Sequence, residues 1–315
     1  MTPNQRLIIA VVLSFVFFIG YTAIFPPKQP ASENNTTAVS AAQEKQVQTS
    51  EEEPSEIEVG HVVQSDEKVQ SVSSTILATI DSEHFTVKID TLGRIASKVL
   101  KDEKYNSKED LPSEMIPSFG TKPLHIRFAD AGLNTEAASV PYATDIRQAQ
   151  LKEGAPVTVT LTQKLSGQSV TKKVTFYEDG HYDVSIALGK ESRYFVYLGQ
   201  HVQREGQMMM AVHGAMVYSG DNLVTIFEDG DVEGRSTFKD VHLTSAFDQY
   251  FASIFYGLNP ETDVMVERDR DDNPIVYVDG AKSMAFNGYI GPKDYRVLKS
   301  IDPVLVNAIE YGWFT

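Results

Sequence analysis

Beyond Thr75 the side chains alternate with a period of two, and this constrains the fold more than any single motif. His84-Phe-Thr-Val-Lys-Ile-Asp90 puts Phe85, Val87 and Ile89 on one face, and Val157-Thr-Val-Thr-Leu161 behaves the same way. Val170 to Tyr177, then Glu-Asp-Gly, then His181 to Leu188 predicts a hairpin, with Gly180 supplying the positive φ of its turn. Further strands are expected at Tyr194–Leu198, Met208–Val212, Leu223–Phe227, Gln249–Tyr256, Val264–Arg268 and Ile275–Val278. Only Pro292 to Lys299 reads as a helix, with proline at an allowed first-turn position. The expectation is an all-β domain over 75–315, as a two-sheet extended sandwich or two fused β units.

The N-terminal end is a different polymer. Leu7 to Phe25 reads LIIAVVLSFVFFIGYTAIF and holds no charged residue. At 1.5 Å per residue it covers about 28 Å as a helix, close to the hydrocarbon thickness of a bilayer. A cleaved signal peptide has a shorter apolar core and a small-x-small cleavage site. Tyr21-Thr22-Ala23, the nearest candidate, puts a ring where the first small residue belongs. Residues 1–27 therefore read as a retained transmembrane anchor, with the bulk of the chain translocated. Residues 28–74 are rich in Ser, Thr, Gln, Glu and Ala and free of aromatics, which reads as a disordered tether. Within it Glu33-Asn-Asn-Thr-Thr37 fits a bacterial glycosylation pattern at Asn35, though a chance match in an Asn/Thr-rich linker is the simpler reading.

Composition removes several chemistries. A net charge of −15 disfavours nucleic acid as a partner, because such a surface repels phosphate. The absence of cysteine excludes disulfides, Cys-ligated zinc and thiol nucleophiles. The seven histidines are His61, His84, His125, His181, His201, His213 and His242, and none forms an HxH, HExxH or HxxE pair. Of these, His84, His181 and His242 sit in alternating strands and are expected to face solvent. Asp229-Gly-Asp-Val-Glu-Gly234 opens like a calcium loop, but Ser236, Asp240 and the non-helical flanks read as an acidic β-turn. Asp269-Arg-Asp-Asp-Asn-Pro274 reads as the turn between VMVER and IVYV. Met208-Met209-Met210 reads as half core, half edge. No nucleophile elbow or phosphate loop is present, so no catalytic, cofactor-binding or metal residue is assigned.

Four stretches in order, behind the apolar segment, carry a resemblance. They are Val87-Lys-Ile-Asp-Thr-Leu-Gly-Arg-Ile95, Lys172 to Val184, Phe247-Asp-Gln-Tyr-Phe-Ala-Ser253, and Tyr289-Ile-Gly-Pro-Lys293 leading to Glu310-Tyr-Gly-Trp-Phe314. With them the chain resembles the N-terminal part of the YidC insertases of bacterial inner membranes, in the Oxa/Alb group. The resemblance implies a periplasmic β-supersandwich similar to galactose mutarotases, behind one transmembrane helix of the inner membrane. It implies no enzyme activity, and work alongside the Sec translocon and SecDF, with SecF contacting the periplasmic domain. By position that partner-binding region is Tyr194 to Lys239, without individual contact residues.

In the family, nascent membrane proteins are received by a five-helix C-terminal bundle, and no second apolar run of that length occurs here. The stretch VNAIEYGWFT is accordingly expected to be a last strand, with Val304, Val306 and Ala308 towards the core and Trp313 and Phe314 towards the bilayer. Because the same fold class hosts sugar epimerases, a membrane-tethered sugar-binding or aldose-epimerase-like domain is the alternative. That reading needs a carboxylate and a histidine converging on a sugar-sized cavity.

Overall fold

The computed structural model describes residues 75–107, 110–204 and 212–309. The strands are β1 (Ile76–Asp81), β2 (Phe85–Asp90), β3 (Ile95–Leu100), β4 (Ile126–Phe128), β5 (Ala143–Thr144) and β6 (Gln148–Gln150). They continue as β7 (Val157–Leu165), β8 (Gln168–Phe176), β9 (His181–Leu188), β10 (Tyr194–Tyr197), β11 (Gly214–Ser219) and β12 (Val224–Glu228). The last are β13 (Arg235–Phe238), β14 (Val241–Phe247), β15 (Phe251–Tyr256), β16 (Val264–Arg268), β17 (Pro274–Gly280) and β18 (Ser283–Pro292). Among the described residues two α-helices, α1 (Ala131–Ser139) and α2 (Tyr295–Ile301), accompany them.

The strands form three sheets. A nine-stranded sheet runs β12-β11-β14-β15-β18-β9-β8-β7-β5, a five-stranded one β13-β16-β17-β10-β4, and a four-stranded one β3-β2-β1-β6. Alternation explains the layering. In β8, Val170, Lys172, Val174 and Phe176 point inward, and in β9 so do Tyr182, Val184, Ile186 and Leu188. Their register, Val174 opposite Val184 and Phe176 opposite Tyr182, is set by the hairpin whose Gly180 has φ +93°. One apolar core holds residues of all three sheets, among them Ile80, Val87, Val174, Ile186, Val196 and Val278, which makes the domain a β-supersandwich.

A second apolar cluster covers part of the opposite face of the nine-stranded sheet. There Leu243, Phe247, Ile254 and Tyr289 meet Leu298 of α2 and Leu305 and Ala308 beyond it. Both helices start on an aspartate cap. Asp130 accepts the Leu133 amide at 2.7 Å, and Asp294 accepts those of Arg296 and Val297.

The lysine that interrupts the apolar face of β8 has a role in the layering. Lys172 is fully buried, and its ammonium donates to the carbonyls of Gly93 at 2.7 Å and Leu124 at 2.6 Å. From the four-stranded sheet, Lys98 of β3 donates to Gly180 at 3.0 Å and Ile290 at 2.5 Å.

Several sequence expectations change. Besides the expected C-terminal helix, α1 exists, and the C-terminal helix begins after Asp294 rather than at Pro292, which ends β18. Residues Pro303–Ala308 form a 3-10 helix instead of a strand, with Asp302 capping the Val304 amide at 2.9 Å. Its buried residues are Leu305 and Ala308, three apart as a threefold helix requires, while Val304 and Val306 are only partly buried. Strands β1, β3, β4, β5, β6, β11, β13, β14 and β18 are not among the expected ones. In β14 and β18 runs of buried residues occupy both faces, so alternation vanishes. His84 and His242 are exposed as expected, but His181 is only partly exposed, because its ring stacks on Tyr177 at 4.0 Å and pairs with Asp179. Residues 208–211 of the expected Met208–Val212 strand, the glycosylation pattern at Asn35, and residues 310–315 lie outside the described residues.

Candidate functional site

The expected partner region, Tyr194 to Lys239, falls on two unlike parts of the domain. Strand β10 is internal, flanked by β4 and β17, and all four of its residues are buried. Beyond it the chain supplies an edge strand to each of the two larger sheets. Among the described residues β12 pairs only with β11, and β13 only with β16. The two edges meet where Phe227 and Phe238 pack edge-to-face, ring centres 6.0 Å apart. At this rim Leu223 (57% exposed), Val224 (43%) and Ile226 (37%) present apolar side chains to solvent. Ile226 lies opposite buried Met216, and Val224 opposite Tyr218, so they continue the face that the second apolar cluster occupies. An edge strand with exposed apolar side chains is a template for pairing with another chain.

Behind that edge, the β11–β12 register places His213, one residue before β11, opposite Asp229, one residue after β12, and the Asp229 amide donates to the His213 carbonyl at 3.1 Å. The His213 Nδ1 stands 2.9 Å from Asp229 Oδ2, and the His201 Nε2 stands 2.7 Å from the same oxygen. His201 and Asp229 side chains are 9% and 8% exposed, whereas His213 is 40% exposed. Burial draws the His201 pKa down, but its hydrogen bond to the Asp229 carboxylate and the charge there outweigh this, and the net shift is upward. Burial pushes the Asp229 carboxyl up, and the two histidines more than compensate, leaving it below the usual value. Alongside, Arg204 pairs with buried Asp248 at 2.9 Å and stacks on Phe251.

The acidic stretch at 229–234 is thus the turn that follows β12. Gly230 and Gly234 take positive φ there, and the Asp229 carboxylate faces imidazoles rather than an oxygen-lined loop. The stretch at 269–273 is the β16–β17 turn, in which Asp269 accepts the Asp271 and Asn273 amides. Sequence spacing could not reveal the histidine pair. His201 lies in the irregular chain after β10 and His213 just before β11, and strand register sets only the His213–Asp229 facing.

For the sugar-processing alternative, the crevice beside His201 and Arg204 measures about 10 Å³, room for about one water. A surface depression of about 490 Å³ between α1 and the β7–β8 turn is lined by Glu136, Lys190 and Glu191, without a histidine. Neither joins a histidine and a carboxylate in a sugar-sized cavity.

What fold and site define is a large β domain with an open sheet rim. The chain belongs to the YidC periplasmic domain family, whose model matches residues 77–315. It is 35% identical over 314 residues to a membrane protein insertase YidC of Campylobacter jejuni, covering 99% of this chain and 58% of that relative. The corresponding protein of Wolinella succinogenes is 33% identical, covering 99% and 58%, and that of Helicobacter pylori 30%, covering 99% and 60%. These relatives are named as membrane protein insertases, and the chain spans about three-fifths of their length. Among solved structures, a Caenorhabditis elegans homologue of GalM/aldose epimerase superposes with a TM-score of 0.32 at 6% identity, covering 69% of this chain and 99% of that one. An overlap this low transfers no activity. Among the described residues no helix is long and apolar enough to cross a membrane.

Proposed function

We propose that the chain is the anchor and periplasmic domain of an inner-membrane protein insertase, which supports insertion and folding of membrane proteins through contacts with the Sec machinery. The observation that carries this reading is the family match over 77–315, joined to similarity along 99% of the chain with named insertases. In it residues 1–27 anchor the protein in the inner membrane, 28–74 tether it, and 75–315 stand in the periplasm. Nascent membrane proteins are handled by the C-terminal bundle that the family carries. The partners of this part are the Sec translocon and SecDF, with SecF meeting the Tyr194–Lys239 region.

The rim supports that assignment. Leu223, Val224 and Ile226 make an exposed apolar strip on an edge strand, suited to a partner strand that adds main-chain hydrogen bonds and fills alternate pockets. Glu228, Asp231 and Glu233 beside it favour a partner face with basic residues. The test is photocrosslinking from residue 226 and, as a control, from exposed position 173 on β8, in cells expressing SecDF. SecF adducts from 226 and none from 173 are expected. Adducts from neither position, or equally from both, would overturn the docking assignment.

A further inference from the structure

We infer that His201, His213 and Asp229 form a binding site for a divalent transition-metal ion of the zinc class. This goes beyond the insertase reading and does not depend on it. Candidate ligand atoms of the three side chains all lie within 4.8 Å of one another. Two imidazole nitrogens with one carboxylate suit zinc, cobalt, nickel or copper, whereas calcium and magnesium prefer an all-oxygen set.

The hydrogen bonding points to an occupant. Asp229 Oδ2 receives both imidazoles, while Oδ1 is buried without any partner. A buried carboxylate oxygen left bare is uncommon and asks for a ligand. On its other side the His201 ring presents Nδ1 to the Val202 carbonyl at 3.3 Å. A proton on Nδ1 leaves the Nε2 lone pair directed at the cluster, the second arrangement that commonly orients a metal-bound histidine.

The two contacts to Asp229 need little movement. Around a tetrahedral zinc with bonds of about 2.0–2.1 Å, neighbouring ligand atoms stand about 3.3 Å apart. The two contacts to Asp229, at 2.7 and 2.9 Å, therefore open by about half an ångström through side-chain rotation. The backbone of His213 and Asp229 is already fixed by their strand pairing. Three protein ligands with exposed His213 at the mouth leave a fourth position for water or a partner's side chain. A second grouping, Glu83, His84 and Glu178, is solvent-facing and offers no comparable buried orphan.

The test is titration of the tag-free full chain in detergent with Co²⁺, read by calorimetry and by the visible absorption of a low-coordinate cobalt site. One equivalent is expected to bind, with Zn²⁺ displacing it. His213→Ala and Asp229→Asn should each weaken binding at least tenfold, since even an outer-shell loss costs about 10–100-fold. His242→Ala, on an exposed strand position, should bind as the parent does. Asp229→Asn preserves side-chain size, so together with a circular dichroism check it separates ligand loss from misfolding. No saturable Co²⁺ binding, or binding unchanged in both ligand variants, overturns the assignment.

Discussion

The ammonium of Lys172, on the nine-stranded sheet, lies 2.7 Å from the carbonyl oxygen of Gly93, in the turn between β2 and β3 of the four-stranded sheet. Lys98 answers from the four-stranded sheet, reaching the hairpin turn at Gly180 and the Ile290 carbonyl. Each buried ammonium satisfies backbone carbonyls of the opposing layer, and each lies near an aromatic ring, Tyr142 at 5.2 Å and Phe85 at 4.2 Å. The two side chains thus tie the sheets together in opposite directions.

Lys172→Ala should destabilise the domain by about 3–5 kcal/mol, since it opens a cavity and strands two buried carbonyls. Lys172→Met keeps most of the volume and also removes a buried charge, so its cost should be about 1–3 kcal/mol. Urea denaturation followed by tryptophan-independent far-UV dichroism orders the two. Equal stability of the Ala variant and the parent would show that the inter-sheet bonds contribute nothing.

Stability should rise from pH 7 towards pH 10. Burial pulls Lys98 and Lys172 down to about 7, so above that value the unfolded chain holds protons that the folded lysines have released. Their stabilising term is complete above the ordinary lysine pKa near 10.5 and is lost as pH falls through about 7. Burial raises the phenols of Tyr142 and Tyr182, which has the opposite sign. Their contribution is complete below about pH 10, the ordinary tyrosine value, and is lost above it. A maximum in denaturation midpoint between about pH 8.5 and 10 is expected, and Lys172→Met should flatten the rise. A midpoint that declines steadily from pH 7 upward would contradict this.

A polypeptide of residues 75–315 should fold without what precedes it, since the apolar cores are assembled from elements beyond Thr75. It should be soluble and give a β-dominated circular dichroism spectrum. A helical or coil spectrum would refute the proposed boundary.

The full chain should fractionate with membranes, and protease added to spheroplasts should cut it in the 28–74 segment while leaving the β domain. A soluble product whose N-terminus lies beyond residue 22 would show instead that Leu7–Phe25 is removed.

Alternation alone disclosed the β class, the β8–β9 hairpin and its glycine turn, because inward and outward side chains on a half-buried strand are a local property. It did not disclose β14 or β18, where burial on both faces erases the period. Nor did it disclose the Pro303–Ala308 turn, where Val304, Val306 and Ala308 alternate as a strand would, while the residues actually buried are Leu305 and Ala308, three apart. Sequence also determined the exclusion of cysteine chemistry and the family to which the chain belongs. Only tertiary structure decided that a lysine in an apolar strand bridges two sheets. It alone decided that Leu223, Val224 and Ile226 stand at a sheet rim. Strand register, a relation between distant segments, sets His213 against Asp229, the chain beyond β10 brings His201 to the same carboxylate, and no local spacing encodes either contact.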